Sequence, residues 1–153
     1  DFELLPGVVE GLTWMQDHGY KLIVVTNQSG IADGRWSKES FQTINDKLIS
    51  ALLSAGIKLT QIYYCPHAKD AGCGCRKPNT GMLEAAVADY VVDLSFSYMI
   101  GNELKDIELG KRAGCTTILV GDSYKNRSQF DVKPDFNVPS FIETINCVKQ
   151  LRY

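Results

Sequence analysis

The run Lys21-Leu22-Ile23-Val24-Val25-Thr26 is apolar and β-branched with no polar alternation. Such a run suits a parallel strand covered on both faces, because a half-exposed strand alternates. It also dictates its neighbours, since parallel strands need crossover connections. Val8, Val9, Leu12 and Met15 recur at helical spacing before it, with Trp14 beside them, from Pro6 as a first helical residue to a stop at His18-Gly19. After Ser37, Phe41, Ile44, Leu48 and Leu52 share a second helical face that ends near Gly56. Strands over 61–64, 97–100 and 116–120 then alternate with helices over 80–91 and 104–113. A short strand over 135–138 leads through Pro139 into a helix holding Phe141, Ile145 and Val148. This alternation predicts an α/β fold, Rossmann-like, with an open parallel sheet, helices on both faces and a ligand site at the carboxyl ends of the strands. No linker or internal repeat divides the chain, so residues 1–153 are expected to form a single domain.

A chain of 153 residues, 44% hydrophobic and 22% charged, can bury a real core, which excludes a disordered or low-complexity protein. Sixteen Lys+Arg against 18 Asp+Glu leave a formal charge of -2. No global positive field then draws the protein to nucleic acid or anionic lipid, and any phosphate recognition must be local. The apolar runs fall far short of the roughly 20 residues of a membrane span. With no secretory pattern at Asp1-Phe2-Glu3, a reducing cytoplasmic location is expected, and the five cysteines need a reading other than disulfides. Nothing suggests a protein partner, so a monomer acting on a small molecule is expected.

Four features carry chemistry. Thr26-Asn27-Gln28-Ser29-Gly30 ends the first strand with hydroxyl, amide and backbone N–H groups able to cradle an anion, or equally to cap their own turn. Cys65-Pro66-His67 and Cys73-Gly74-Cys75 offer three thiolates and one imidazole, a closed tetrahedral set for structural zinc; the alternative is small core cysteines, as Cys115 and Cys147 are read. Arg76-Lys77-Pro78 follows the last of those ligands directly. Adjacent cations are commonly solvated surface, but a metal-pinned loop would hold a guanidinium for a sugar phosphate or carboxylate and an ammonium for a reacting phosphoryl group. Gly101-Asn102-Glu103-Leu104-Lys105-Asp106 places oxygen ligands, Asn102 and Asp106, at a strand end, where they could meet magnesium. Alternatively, Asn102 caps the next helix while Glu103 and Asp106 complement its dipole.

In order, Val25-Thr26-Asn27-Gln28-Ser29-Gly30-Ile31-Ala32, Tyr64-Cys65-Pro66-His67, Cys73-Gly74-Cys75-Arg76-Lys77-Pro78, Gly81-Met82-Leu83 and the run from Ile100 to Asp106 resemble the haloacid dehalogenase superfamily. The resemblance is closest to the branch of D-glycero-D-manno-heptose 1,7-bisphosphate phosphatases and histidinol-phosphate phosphatases, and it spans residues 5–120. It implies a magnesium-dependent phosphatase without a large cap domain. In that family one Asp attacks phosphorus to give an aspartyl-phosphate, and a second Asp, two residues on, protonates the leaving oxygen and then activates water. By position, Thr26, with Asn27, Gln28 and Ser29, would bind the phosphoryl group. Lys77 would stabilise its charge, and Arg76 and Glu103 would lie against the substrate. Cys65, His67, Cys73 and Cys75 would bind zinc, and Asn102 and Asp106 would bind magnesium.

Two departures bear on function. The family's Asp-x-Asp-Gly-Thr motif, which ends a central strand, is not in this sequence, and Asp1 and Glu3 have no apolar run before them. The expectation is a phosphatase domain lacking its N-terminal nucleophile strand, that strand lying upstream or in another segment. Asn102 stands where the family has a magnesium-binding Asp, which would weaken magnesium, and Glu103, where the heptose branch often has Lys, would repel a substrate phosphate. The leading expectation is a phosphomonoester hydrolase, most simply a heptose 1,7-bisphosphate 7-phosphatase, with histidinol phosphate as the other substrate. A catalytically silent ligand-binding or interaction domain of the same fold is the rival.

Overall fold

The computed structural model describes Leu4, residues 6–122 and residues 132–151. Asp1 and Glu3 lie outside the described residues. The chain forms two compact units, Asp1–Arg76 and Lys77–Tyr153, and each has its own parallel sheet.

In the first unit, helix α1 (Val8–Asp17) begins later than the position of Pro6 implies. Gly7 intervenes with φ 83, a left-handed conformation that cannot continue into a right-handed helix and that glycine adopts at low cost. Gln16 ties α1 to the turn near residue 56: its side-chain amide donates to the Gly56 carbonyl (2.9 Å), and its oxygen accepts the Lys58 N–H (2.7 Å). Strand β1 (Ile23–Asn27) is followed by the single turn of α2 (Ser29–Ala32), then α3 (Lys38–Ser54) and β2 (Gln61–Cys65). Ser37 caps α3, its hydroxyl accepting the Ser40 N–H at 3.0 Å. Phe41 and Leu52 are buried from that helix, and the Phe41 ring meets Tyr64 at 4.8 Å. Ile44, expected on the same apolar face, is 55% exposed. β1 and β2 pair in parallel from Ile23 opposite Gln61 to Asn27 opposite Cys65. That register puts the polar end of β1 beside the first cysteine of the cluster.

The second unit holds α4 (Gly81–Asp89), β3 (Tyr98–Gly101), α5 (Leu104–Ala113), β4 (Thr116–Val120), β5 (Phe136–Val138) and α6 (Thr144–Leu151). Its strands run in the order β3-β4-β5, all parallel. Ile107, Leu109, Ile118 and Leu119 are fully buried. Gly110 lets α5 lie against the sheet, since a Cβ there would come within 2.6 Å of Thr117 and 2.7 Å of Met99. Cys115 and Cys147 are buried, as small hydrophobic residues are. The expected α/β fold of parallel strands and helices is present. Among the described residues, however, the sheet is in two pieces, with β1 paired only to β2 and β3 only to β4.

Candidate functional site

In the first unit, Thr26 and Asn27 end β1. The Gln28 side-chain amide donates to the Thr26 hydroxyl (3.0 Å), and the Gln28 N–H donates to the Cys65 carbonyl (2.7 Å). Gln28 therefore braces the loop. The Thr26 hydroxyl accepts that bond and keeps its own proton to donate elsewhere. Ser29 is buried, and its hydroxyl accepts from Arg35 at 3.4 Å. Arg35 was not anticipated from the sequence. The available signal was Gly30, because a Cβ at that position would collide with the Trp36 ring, so the glycine lets the following turn fold back.

Cys65, His67, Cys73 and Cys75 converge, with all four donor atoms within 4.8 Å of one another. Cys65 Sγ is 3.4 Å from His67 Nδ1 and 3.5 Å from Cys73 Sγ, and His67 Nδ1 is 3.1 Å from Cys75 Sγ. Four donors about 2.3 Å from a tetrahedral zinc would lie roughly 3.8 Å apart, so the set fits the ion with only small adjustment. All three cysteines are free thiols. Proximity splits the acidities of Cys73 and Cys75. Burial raises the Cys75 thiol, and hydrogen bonds and charge from Cys65 and Cys73 push it further, to about 12. Burial also opposes ionisation of Cys73, but hydrogen bonds from Cys65, the Arg76 backbone and Cys75 outweigh it and hold that thiol at about 6. Sulfurs packed this closely cannot all ionise without a cation among them. The alternative of unrelated core cysteines does not account for the convergence.

Arg76 follows this cluster, and its Nη1 is buried with no hydrogen-bond partner among the described residues. An orphaned guanidinium nitrogen is a donor that a bound anion can satisfy. In the second unit Lys77 Nζ lies 2.7 Å from Asp106 Oδ1, and the two side chains are 10% and 8% exposed. Asp106 Oδ2 accepts the Glu103 N–H at 3.2 Å. Glu103, not Asn102, occupies the N-cap position of α5, so Asn102 does not cap that helix and stands exposed just past β3. Glu103 pairs with Lys105 at 3.2 Å, which offsets part of its charge. Gly101 is required here, since any Cβ would fall on the Asp106 carboxyl group.

Small polar groups end β1 in the first unit, a buried lysine–carboxylate pair lies past β3 in the second, and in open α/β proteins ligands bind at such carboxyl ends of the strands. A family model described as HAD-hyrolase-like matches residues 74–144. The D-glycero-beta-D-manno-heptose-1,7-bisphosphate 7-phosphatase of Haemophilus ducreyi is 36% identical over 95% of this chain and 84% of its own length. That of Salmonella typhi is 32% identical over 97% and 84%. For a Photorhabdus laumondii relative of the same name, 40% identical, the match covers 71% of this chain and 61% of the relative. The crystal structure of D,D-heptose 1,7-bisphosphate phosphatase from B. bronchiseptica, complexed with magnesium and phosphate, superposes with a TM-score of 0.84 at 31% identity, covering 95% of this chain and 83% of that one. The chain belongs to the heptose 1,7-bisphosphate 7-phosphatase family of haloacid dehalogenase-like hydrolases. No described helix is long and apolar enough to cross a membrane.

Proposed function

We propose that this chain supplies most of the machinery of a phosphomonoester hydrolase that removes the 7-phosphate from D-glycero-D-manno-heptose 1,7-bisphosphate. The observation that carries this is the buried Lys77–Asp106 pair at the carboxyl end of β3. Holding an ammonium out of water beside a carboxylate costs desolvation free energy, and a further anion drawn to the same ammonium recovers part of it. In the first unit, Thr26 and Asn27 would donate to phosphoryl oxygens and the orphaned Arg76 guanidinium would meet the sugar; in the second, Lys77 would offset phosphoryl charge.

The attacking carboxylate is not in this sequence, which has no Asp-x-Asp pair. We assign it to a strand outside these residues. Its oxygen bonds to phosphorus as the ester P–O bond breaks, a second carboxyl group gives its proton to the sugar oxygen, and water then hydrolyses the aspartyl-phosphate. Asn102 and Asp106 would hold magnesium, though Asn102 contributes no charge and Asp106 already serves Lys77 and Glu103, so the ion binds weakly. Bound magnesium would screen phosphoryl charge. Cys65, His67, Cys73 and Cys75 would hold zinc with no open position, which makes it structural. Asn102 favours a second reading, a domain that binds the ligand without turning it over. Incubating the full-length protein with heptose 1,7-bisphosphate and magnesium separates the two. Release of inorganic phosphate with retention of the 1-phosphate supports the hydrolase, and binding without release supports the silent domain.

A further inference from the structure

Beside the polar end of β1, the turn after α2 folds back on itself. The backbone N–H groups of Arg35 and Trp36 both donate to the Gly30 carbonyl, at 2.9 and 3.3 Å. The Trp36 ring then covers Gly30, which has no Cβ to obstruct it. Three restraints converge on the Arg35 guanidinium. Nη2 lies 3.4 Å from Ser29 Oγ and 3.3 Å from Asp33 Oδ2, and Cζ sits 5.0 Å from the centre of the Trp36 ring. Long cationic side chains on a surface normally keep their rotamer freedom, and ordering one costs entropy that an exposed ion pair barely returns. Here the ordering is built in. The guanidinium stands at the rim, its side chain 55% exposed, directly above a serine that is 8% exposed.

We propose that Arg35 binds the phosphate of a bisphosphorylated sugar that is not transferred, an assignment that rests on the phosphatase reading above. A guanidinium fork matches a phosphate through paired N–H donors, and stacking on Trp36 fixes the plane of the fork before the ligand arrives. Asp33 keeps the group from being a bare positive charge in the free protein. Because that pair is exposed and weak, a doubly charged phosphate displaces the carboxylate at little cost. Ser29 stands two residues beyond Asn27, so Arg35 is anchored on the same strand-end loop as Thr26 and Asn27.

Isothermal titration of the full chain with two probes, inorganic phosphate and heptose 1,7-bisphosphate, tests the assignment with no magnesium added. In wild type the bisphosphate binds more tightly. Arg35→Gln lowers the affinity ratio of bisphosphate to inorganic phosphate by on the order of tenfold, the worth of a charge-assisted bond, and Arg35→Lys restores part of it. An equal loss for both probes makes Arg35 a mere support for Ser29 and overturns the assignment, as does an unchanged ratio. Wild type that binds inorganic phosphate but prefers the bisphosphate not at all also overturns it, leaving the phosphatase reading intact. Failure of wild type to bind inorganic phosphate removes the phosphatase reading and this one with it.

Discussion

Lys77 Nζ and Asp106 Oδ1 lie 2.7 Å apart with both side chains almost wholly removed from water. Neither charge can be left alone there. Asp106→Ala strips the lysine of this carboxylate and costs about 3 kcal/mol, the usual penalty for orphaning one member of a buried pair. Asp106→Asn, which can still accept the Glu103 N–H, costs less. Urea unfolding of the two variants checks the order; equal and negligible losses would show that the pair is not buried in solution.

Gly101 determines whether that pair can form. A methyl group at this position overlaps the Asp106 carboxyl group, and the displacement takes Lys77's partner with it. Gly101→Ala therefore destabilises by about 1–3 kcal/mol, the range for overpacking a close contact. The loss is not additive with Asp106→Ala, because the second change removes the carboxyl atoms that the first one strikes and leaves only the Cβ contact. A double-mutant cycle by thermal unfolding measures the coupling, and strict additivity would rule the contact out.

The features legible in the sequence were those written in local pattern. The apolar run at 21–26 marked β1, Ser37 marked the start of α3, and the spacing of Cys65, His67, Cys73 and Cys75 marked a cluster that does converge. Boundaries blurred where backbone conformation overrode pattern. Pro6 resembled a helix start until Gly7 took φ 83, and α4 stops at Asp89, short of Val91, because Tyr90 is extended. The Arg35–Trp36 fold-back and the Lys77–Asp106 pair were out of reach for a different reason, since both depend on a glycine's missing Cβ facing a residue from the next turn. Periodicity carries no record of such contacts.

Asn102→Asp adds a negative charge to the oxygen donors past β3. Ligand charge is a principal lever on divalent-cation affinity, so magnesium binding should tighten on the order of tenfold. In the full-length protein, phosphate release will then saturate at lower magnesium and run faster. An unchanged magnesium dependence would remove Asn102 from the metal's ligands.

Asp135 governs a different response. Its Oδ1 accepts from Lys111 at 2.6 Å and its Oδ2 from the Thr117 N–H at 2.8 Å. Partial burial opposes ionisation, but these bonds prevail and hold the carboxyl group below its ordinary 3.8. A carboxylate depressed in the folded state stabilises it above the unfolded value and loses that contribution as pH falls through the lowered one. Stability will therefore decline below about pH 4, and Asp135→Asn will flatten that part of the acid limb while lowering stability at neutral pH. Denaturant midpoints from pH 2 to 7 give both; an unchanged acid slope would mean that Asp135 titrates normally.

If the cysteine cluster holds zinc and the end of β1 binds phosphate, as proposed above, removing the metal should act on both. Cys65 is both a cluster donor and the residue opposite Asn27 in the sheet, and its carbonyl accepts the backbone N–H of Gln28, whose side-chain amide donates to the Thr26 hydroxyl. One zinc per chain is expected by elemental analysis, and Cys75→Ser, which removes one of the four donors, will lower that content. Chelation will cut the melting temperature by roughly 4–8 °C for about 2 kcal/mol lost in a domain of this size. It will also open residues 66–76 to protease and weaken inorganic-phosphate binding, and all three effects reverse on adding zinc. If phosphate binding survives full demetallation while the loop is cleaved freely, the cluster stabilises the loop alone and the link through Cys65 and Gln28 carries nothing to Thr26.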